Sequence, residues 1–243
     1  AEFDLDITLV RNKNNLGYAR SVQRGVDITD SHFFIMANND IYVPRGSIDN
    51  MVRLIKSDPT VGAVGPISSS GTNKSQFSEL GPSKLGKYSP EVCSLLEETS
   101  RRVRERWKDH YYDIRFLCGW FIIFNREAFD RTGGFNPLLL HSFNEDSDIS
   151  WGLQECGYKL VVDRSSYIFH GYEKEHGVIG PSMSSVSLKS LSNWARNAFH
   201  FAKKFGILEL HSLNYNFNWR KSFTPYHPPE VLDTTEPPRK EGL

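Results

Sequence analysis

The stretch HFFIMANNDIYVP, His32 to Pro44, sets an apolar run directly against two asparagines and an aspartate. HFFIM reads as a buried strand, being short, apolar and aromatic. Asn and Asp are turn formers that bond their own backbone, so a turn alone accounts for the polar trio. The surroundings decide more. Upstream, DLDITLV (4–10) alternates and then runs apolar like a strand, and a helical pattern follows from Gly17 to about Thr29. Downstream, Pro44 precedes Ile48, Met51, Val52 and Ile55 at helical spacing, until Asp58-Pro59 stops the helix. VGAVGP, Val61 to Pro66, then reads as another buried strand. Strand, helix, strand, helix, strand predicts a parallel α/β sheet with right-handed crossovers, and ligands in such sheets bind beyond the carboxyl ends of the strands. Asn38, Asn39 and Asp40 fall at that edge.

Composition bounds the rest. At 243 residues the chain is long enough for one large domain or two small ones, and 39% hydrophobic residues suffice for a packed core. Lys+Arg and Asp+Glu are equal at 29 each, so no global basic field recommends nucleic acid as a partner, and any anion site is local. Cys93, Cys118 and Cys156 form no CxxC pair, which argues against a disulfide framework or a zinc cluster and for a reducing, cytoplasmic setting. No apolar run approaches the ~20 residues that span a bilayer. Peripheral contact with the inner face of a membrane stays open.

Beyond the third strand, residues 68–88 read as a long surface loop, and Pro90 to Lys108 as a helix whose charge run is a solvated face. DIRFLCGWFIIFN (113–125) reads as one apolar strand interrupted at Gly119-Trp120, and Tyr167 to Phe169 as a short strand ending at His170. Ser185 to Phe205 predicts an amphipathic helix with Leu188, Leu191, Trp194, Ala195, Ala198, Phe199 and Ala202 on one face. The tail after Tyr226 is rich in Pro, Glu and Thr and reads as flexible.

Two polar groups carry potential chemistry. Asn144, Glu145, Asp146 and Asp148 stand at the start of a helix whose apolar positions are Ile149, Leu153 and Cys156. Ser142 with Glu145 fits a capping box, and acids in a first turn complement the helix dipole. Capping explains two of the acids; a third must point elsewhere. His170, at a strand end, is more often a surface residue in such a place than a ligand. An aspartate at one strand end and a histidine at another can nevertheless share a divalent ion if the sheet brings the ends together. One oxygen and one nitrogen ligand, with a diphosphate completing the shell, suit Mn2+ or Mg2+.

NLGYARSVQRG, ANNDIYVP, VGAVGP, CGWFIIFNREAFDRTGGFN, NEDSDISWGLQECGYKLVV and YIFH, in this order, resemble the inverting GT-A glycosyltransferases of family 2, rhamnosyltransferase-like members above all. The resemblance covers about Leu5 to Phe205. It implies a GT-A, Rossmann-like, mostly parallel sheet flanked by helices, closed by the C-terminal amphipathic helix. It also implies a nucleotide-sugar donor, a saccharide or glycolipid acceptor, and a divalent metal, Mn2+ or Mg2+. Position by position, Asp40 matches the last aspartate of a DXD-like motif and His170 a further metal ligand. Asn38 and Asn39 replace acids, which implies weak metal binding without donor. Asp146 matches the general base, with Glu145 its rival, while Asp148 orients or caps beside the acceptor. Gly119 and Trp120 match a turn lining the sugar and acceptor site, where an aromatic face can stack on a pyranose, although a core tryptophan fits Trp120 equally well. Asn15, Gly17 and Arg20 match the segment flanking the nucleotide.

The resemblance also marks a departure. Family members begin with a strand, a helix and a second strand that cradle the nucleotide, whereas DLDITLV matches their third strand, so an N-terminally truncated form is expected. The implied organisation is one GT-A-like domain over 1–210, with a donor and metal part (1–66), an acceptor and catalytic part (67–172) and a helical part (173–210), followed by the tail at 211–243. The alternative is a non-catalytic GT-A fragment or partner subunit that binds a glycan or a complementary chain. A dinucleotide-dependent oxidoreductase is disfavoured, because no G-x-G-x-x-G follows the first strand.

Overall fold

The computed structural model describes residues 6–70, 76–83, 85, 88–139, 145–171, 188–205 and 224–228. In chain order the elements are α1 (Tyr18–Asp27), β1 (Phe33–Ala37), β2 (Ile41–Tyr42), α2 (Asp49–Ser57), β3 (Val61–Ile67), α3 (Pro90–Arg106), β4 (Tyr111–Ile114), β5 (Phe121–Asn125), α4 (Arg126–Arg131), α5 (Glu145–Glu155), β6 (Lys159–Tyr167), β7 (Phe169–His170), α6 (Leu188–Phe205) and β8 (Thr224–Tyr226). Local chemistry sets several boundaries. Ser89 caps α3 by accepting from the Val92 amide, with Pro90 in the first turn, and Asn125 caps α4 by accepting from Ala128.

Six strands form one sheet in the order β1-β5-β3-β6-β4-β8, and β2 pairs with β7 in a small second sheet. β3 and β6 are parallel neighbours, whereas β5 lies antiparallel between β1 and β3, and β4 antiparallel between β6 and β8. Thus β1, β3, β6 and β8 share one direction against two reversed strands. β1 and β3 run alike, as the crossover pattern predicts, but they are not neighbours. The run read as one interrupted strand over 113–125 is instead two: β4 and β5 lie on opposite sides of the β3–β6 pair. Apolar periodicity marks both halves as strands but carries no information about their neighbours, which are chosen by distant partners.

The sheet is covered on both faces. On β5, Ile122 and Phe124 enter one buried cluster with Leu96, Phe129, Ile149 and Leu153, while Phe121 and Ile123 enter the other with Met51 and Ile55. The alternation follows the two-residue period of a strand. β3, central and covered on both sides, is buried along its whole length.

Three expectations are corrected. Residues 6–10 form no strand and are exposed, Ile7 at 77% and Leu9 at 72%. A strand needs a hydrogen-bonded partner, and none is paired with this segment among the described residues. In α6, Ala198 is buried but Ala195 and Phe199 of the expected apolar face are exposed, while the side chains of Leu188, Leu191, Trp194 and Ala202 lie outside the described residues. Within the expected tail, residues 224–226 form β8, anchored by the Tyr226 hydroxyl donating to Asp58 at 2.7 Å. Ser142 and Asn144 lie outside the described residues.

Candidate functional site

The carboxyl ends of β1, β3 and β6 and the amino end of the reversed β5 meet at one edge of the sheet, and the polar groups gather there. The pairing of β2 with β7 sets Ile41 opposite His170, and the Gly171 amide donates to the Asp40 carbonyl at 2.6 Å. The His170 amide donates to Ser68 Oγ at 3.1 Å, just past β3. Two residues 130 apart in sequence are thereby locked together: His170 Nε2 lies 3.3 Å from Asp40 Oδ1. Burial pushes the Asp40 carboxyl up, but the hydrogen bond and charge of His170 outweigh it and hold the group below the ordinary carboxylate range.

This pair suits a hard divalent cation. Two ligands each about 2.1 Å from an octahedral ion stand roughly 3 Å apart at adjacent vertices, close to the observed separation, and both side chains are partly exposed. Among the described residues no group of three His, Cys, Asp or Glu side chains gathers, so further ligands would be amide, substrate or water oxygens. Asn38 stands nearest, its Nδ2 at 3.3 Å from His170 Nε2. Asn39 is exposed at the bend.

The second component is the turn between β4 and β5, whose backbone is gripped from five directions. The Leu117 amide donates to Ser150 Oγ, the Cys118 amide to Gln76 Oε1 at 2.7 Å, and the Gly119 amide to Asp146 Oδ2 at 3.3 Å. Tyr18 Oη donates to the Gly119 carbonyl at 2.9 Å, and the Asn38 amide to the Trp120 carbonyl at 2.9 Å. Such accounting of backbone groups marks a rigid turn. A Cβ on Gly119 would lie 3.3 Å from the Asp146 Cβ and 3.5 Å from Met36 Cε, so the carboxylate seats closely over bare backbone.

Asp146 sits in the first turn of α5. Burial pushes its pKa up to about 6, against hydrogen bonds from the Gly119 and Ser147 amides that favour the charged form. It is poised to take a proton near neutral pH. Its neighbour Glu145 is half-buried. The charges of both acids reach Tyr18, whose hydroxyl is raised first by its own burial and then by Glu145 and Asp146.

The other residues singled out in the sequence are placed as follows. Trp120 is 5% exposed and its ring stacks on His170, centroids 5.4 Å apart at 11°, so that face holds the histidine. Asp148 is fully buried, its Oδ2 paired with Lys204 Nζ of α6 at 2.7 Å, and it ties α6 to the base of α5. Gly17 leads into α1 with φ +82°, a conformation that favours glycine, and the Asn15 side chain accepts from its amide at 2.9 Å. Arg20 grips the Pro137 carbonyl through two N–H groups at 2.8 and 2.6 Å. Tyr18 and Gln76 are the site residues that sequence reasoning missed. Tyr18 lay inside a motif already noted; Gln76, buried in an aperiodic loop, carries no local signal.

The glycosyl transferase family 2 model matches residues 1–133. No curated protein matches the chain. Among solved structures, GalNAc-T7 with UDP, GalNAc and Mn2+ is 18% identical with a TM-score of 0.53, over 88% of this chain and 42% of that one. The mannosyltransferase PcManGT from Pyrobaculum calidifontis, in complex with GDP-Man and Mn2+, is also 18% identical, with a TM-score of 0.46 over 70% of this chain and 40% of that one. The chain thus spans about two fifths of the length of the solved structures it matches.

Proposed function

The chain belongs to glycosyl transferase family 2, and from that premise we propose that it serves the metal-dependent transfer of a sugar from a nucleotide-sugar donor to a saccharide or glycolipid acceptor, with inversion. The observation that carries this reading is the meeting, at one sheet edge, of the Asp40–His170 pair and an aspartate raised to about 6. The fold shared with GalNAc-T7, whose structure holds UDP, GalNAc and Mn2+, supports the same reading.

Asp40 and His170 would hold the ion, whose chemistry is to stabilise the negative charge of a departing diphosphate. Asp146 takes the proton from the acceptor hydroxyl as that oxygen attacks the anomeric carbon from the face opposite the diphosphate, which inverts the centre. The Gly119 amide orients the carboxylate, with Glu145 beside it as a second acid.

Asp146→Asn tests the assignment. Transfer is expected to fall by about 10²–10⁴ while donor binding survives; near-normal transfer would remove Asp146 from the role of base. A second reading, a glycan- or partner-binding module without catalysis, is favoured by one feature: among the described residues no strand pairs with the outer edge of β1. Metal-dependent binding of a nucleotide sugar by the chain would exclude it.

A further inference from the structure

Tyr18 touches both halves of the site with one hydroxyl. Its Oη lies 2.9 Å from the Gly119 carbonyl and 3.2 Å from Asn38 Oδ1. Both are acceptors, and a phenol has one proton to give. On its other side the Asn38 amide turns its NH2 toward His170 Nε2 at 3.3 Å and toward the Asp40 carboxylate. The amide hydrogens thus fill the gap where a cation would sit.

Turning the amide by 180° about its terminal bond reverses the ledger. Asn38 Nδ2 then donates to Tyr18 Oη, whose proton is free to serve Gly119 alone, so the shortage of protons at Tyr18 disappears. Asn38 Oδ1 in turn faces the gap between Asp40 and His170. A carbonyl beside a carboxylate is repulsive when the gap holds nothing and favourable when a cation lies between them. Each orientation therefore belongs to one state of the site, and only a partner that both donates and accepts can satisfy both. A tyrosine hydroxyl is such a group; a phenylalanine edge is not.

We propose that Tyr18 is a positioning residue: its hydroxyl is the pivot on which the Asn38 amide turns to present its oxygen to a divalent cation held by Asp40 and His170. The inference rests on the metal reading above, with Asn38 as a third protein ligand. It gives the asparagine in this motif a purpose. The neutral amide supplies its own hydrogens as a stand-in for the cation, and it yields an oxygen when the ion arrives.

The test is Mn2+ affinity, read from the free-ion electron paramagnetic resonance signal, in four proteins: wild type, Tyr18→Phe, Asn38→Asp and the double variant. The two oxygens of an aspartate are equivalent, so Asn38→Asp needs no pivot. Tyr18→Phe should weaken Mn2+ binding by about tenfold in the wild-type background and leave it nearly unchanged in the Asn38→Asp background. An equal loss in both backgrounds would make Tyr18 merely structural, and no loss in either would also overturn the proposal. Absence of Mn2+ binding by both wild type and Asn38→Asp would overturn the metal reading itself, and the pivot with it. In the wild type, nuclear Overhauser contacts of the Asn38 side-chain amide protons should move from the His170 ring to the Tyr18 ring on saturation with diamagnetic Mg2+. Contacts that stay on His170 would contradict the turn.

Discussion

Two helices in this chain carry runs of charge, and they use them in opposite ways. On α3, Arg101 bonds Glu98 and Glu105, each at 2.6 Å, and all three side chains stay about half exposed or more. On α5, Asp146 is met by the Gly119 amide from a turn 27 residues away, and Asp148 by Lys204 from 56 residues away. The α3 charges find partners one turn along their own helix, a solvated arrangement of little net value. The α5 charges find partners only after the chain has folded, out of water, where a charge either is paired or shifts its pKa. Composition does not separate these two clusters. The origin of the partner does.

The largest effect is expected in the pH profile of transfer. With Asp146 near 6, the fraction of base falls tenfold per pH unit below that value, so the rate at pH 4 should be about a hundredfold below its plateau. A flat profile from pH 4 to 8 would place the proton elsewhere.

Next is Lys204→Met, which leaves Asp148 buried without its cation. Breaking such a pair costs several kcal/mol when both partners are enclosed; Lys204 is 30% exposed, so about 2 kcal/mol is expected by urea unfolding. Asp148→Asn with Lys204→Met should recover part of that loss, since no lone buried charge remains.

A smaller effect, of unusual sign, concerns the stability of Asp146→Asn. The folded pKa lies above the ordinary 3.8, so the native state holds the extra proton between 3.8 and about 6, and stability declines as pH rises through that window. Removing the charge should flatten this decline and leave the variant at least as stable as wild type at pH 8, by thermal melting. A lower melting point there would contradict the burial argument. Smallest of all is Arg101→Ala on α3, for which no measurable change in melting is expected; a clear loss would mean that the α3 charges are not a solvated face.

How much of this was legible follows the same division. β1, α2 and β3 are readable because their signals are local: an apolar run, a helical spacing closed by Asp58-Pro59, and a buried stretch. Asp40 and His170 could be paired on paper because each ends a strand, and the structure sets them 3.3 Å apart. The split of 113–125 into β4 and β5 was not legible, since strand neighbours are chosen by non-local hydrogen bonds. Nor was the strandless state of 6–10, whose apolar residues promise a strand but cannot supply its partner. Trp120 illustrates the limit on the site: its identity fitted a stacking platform and a core residue equally well, and its partner, the His170 ring, comes from 50 residues away. Tyr18 was in view from the start, yet its two acceptors, Asn38 and Gly119, are known only once the sheet is assembled.

The central claim, a nucleotide-sugar site built on Asp40 and His170 with Asp146 as its base, meets its most direct test in calorimetry. Wild type, Asp40→Asn and Asp146→Asn would be titrated with UDP-, GDP- and dTDP-sugars, with and without Mn2+. Mn2+-dependent binding of one donor class is expected, lost in Asp40→Asn and retained in Asp146→Asn. Binding indifferent to both Mn2+ and Asp40, or abolished by Asp146→Asn, would contradict it.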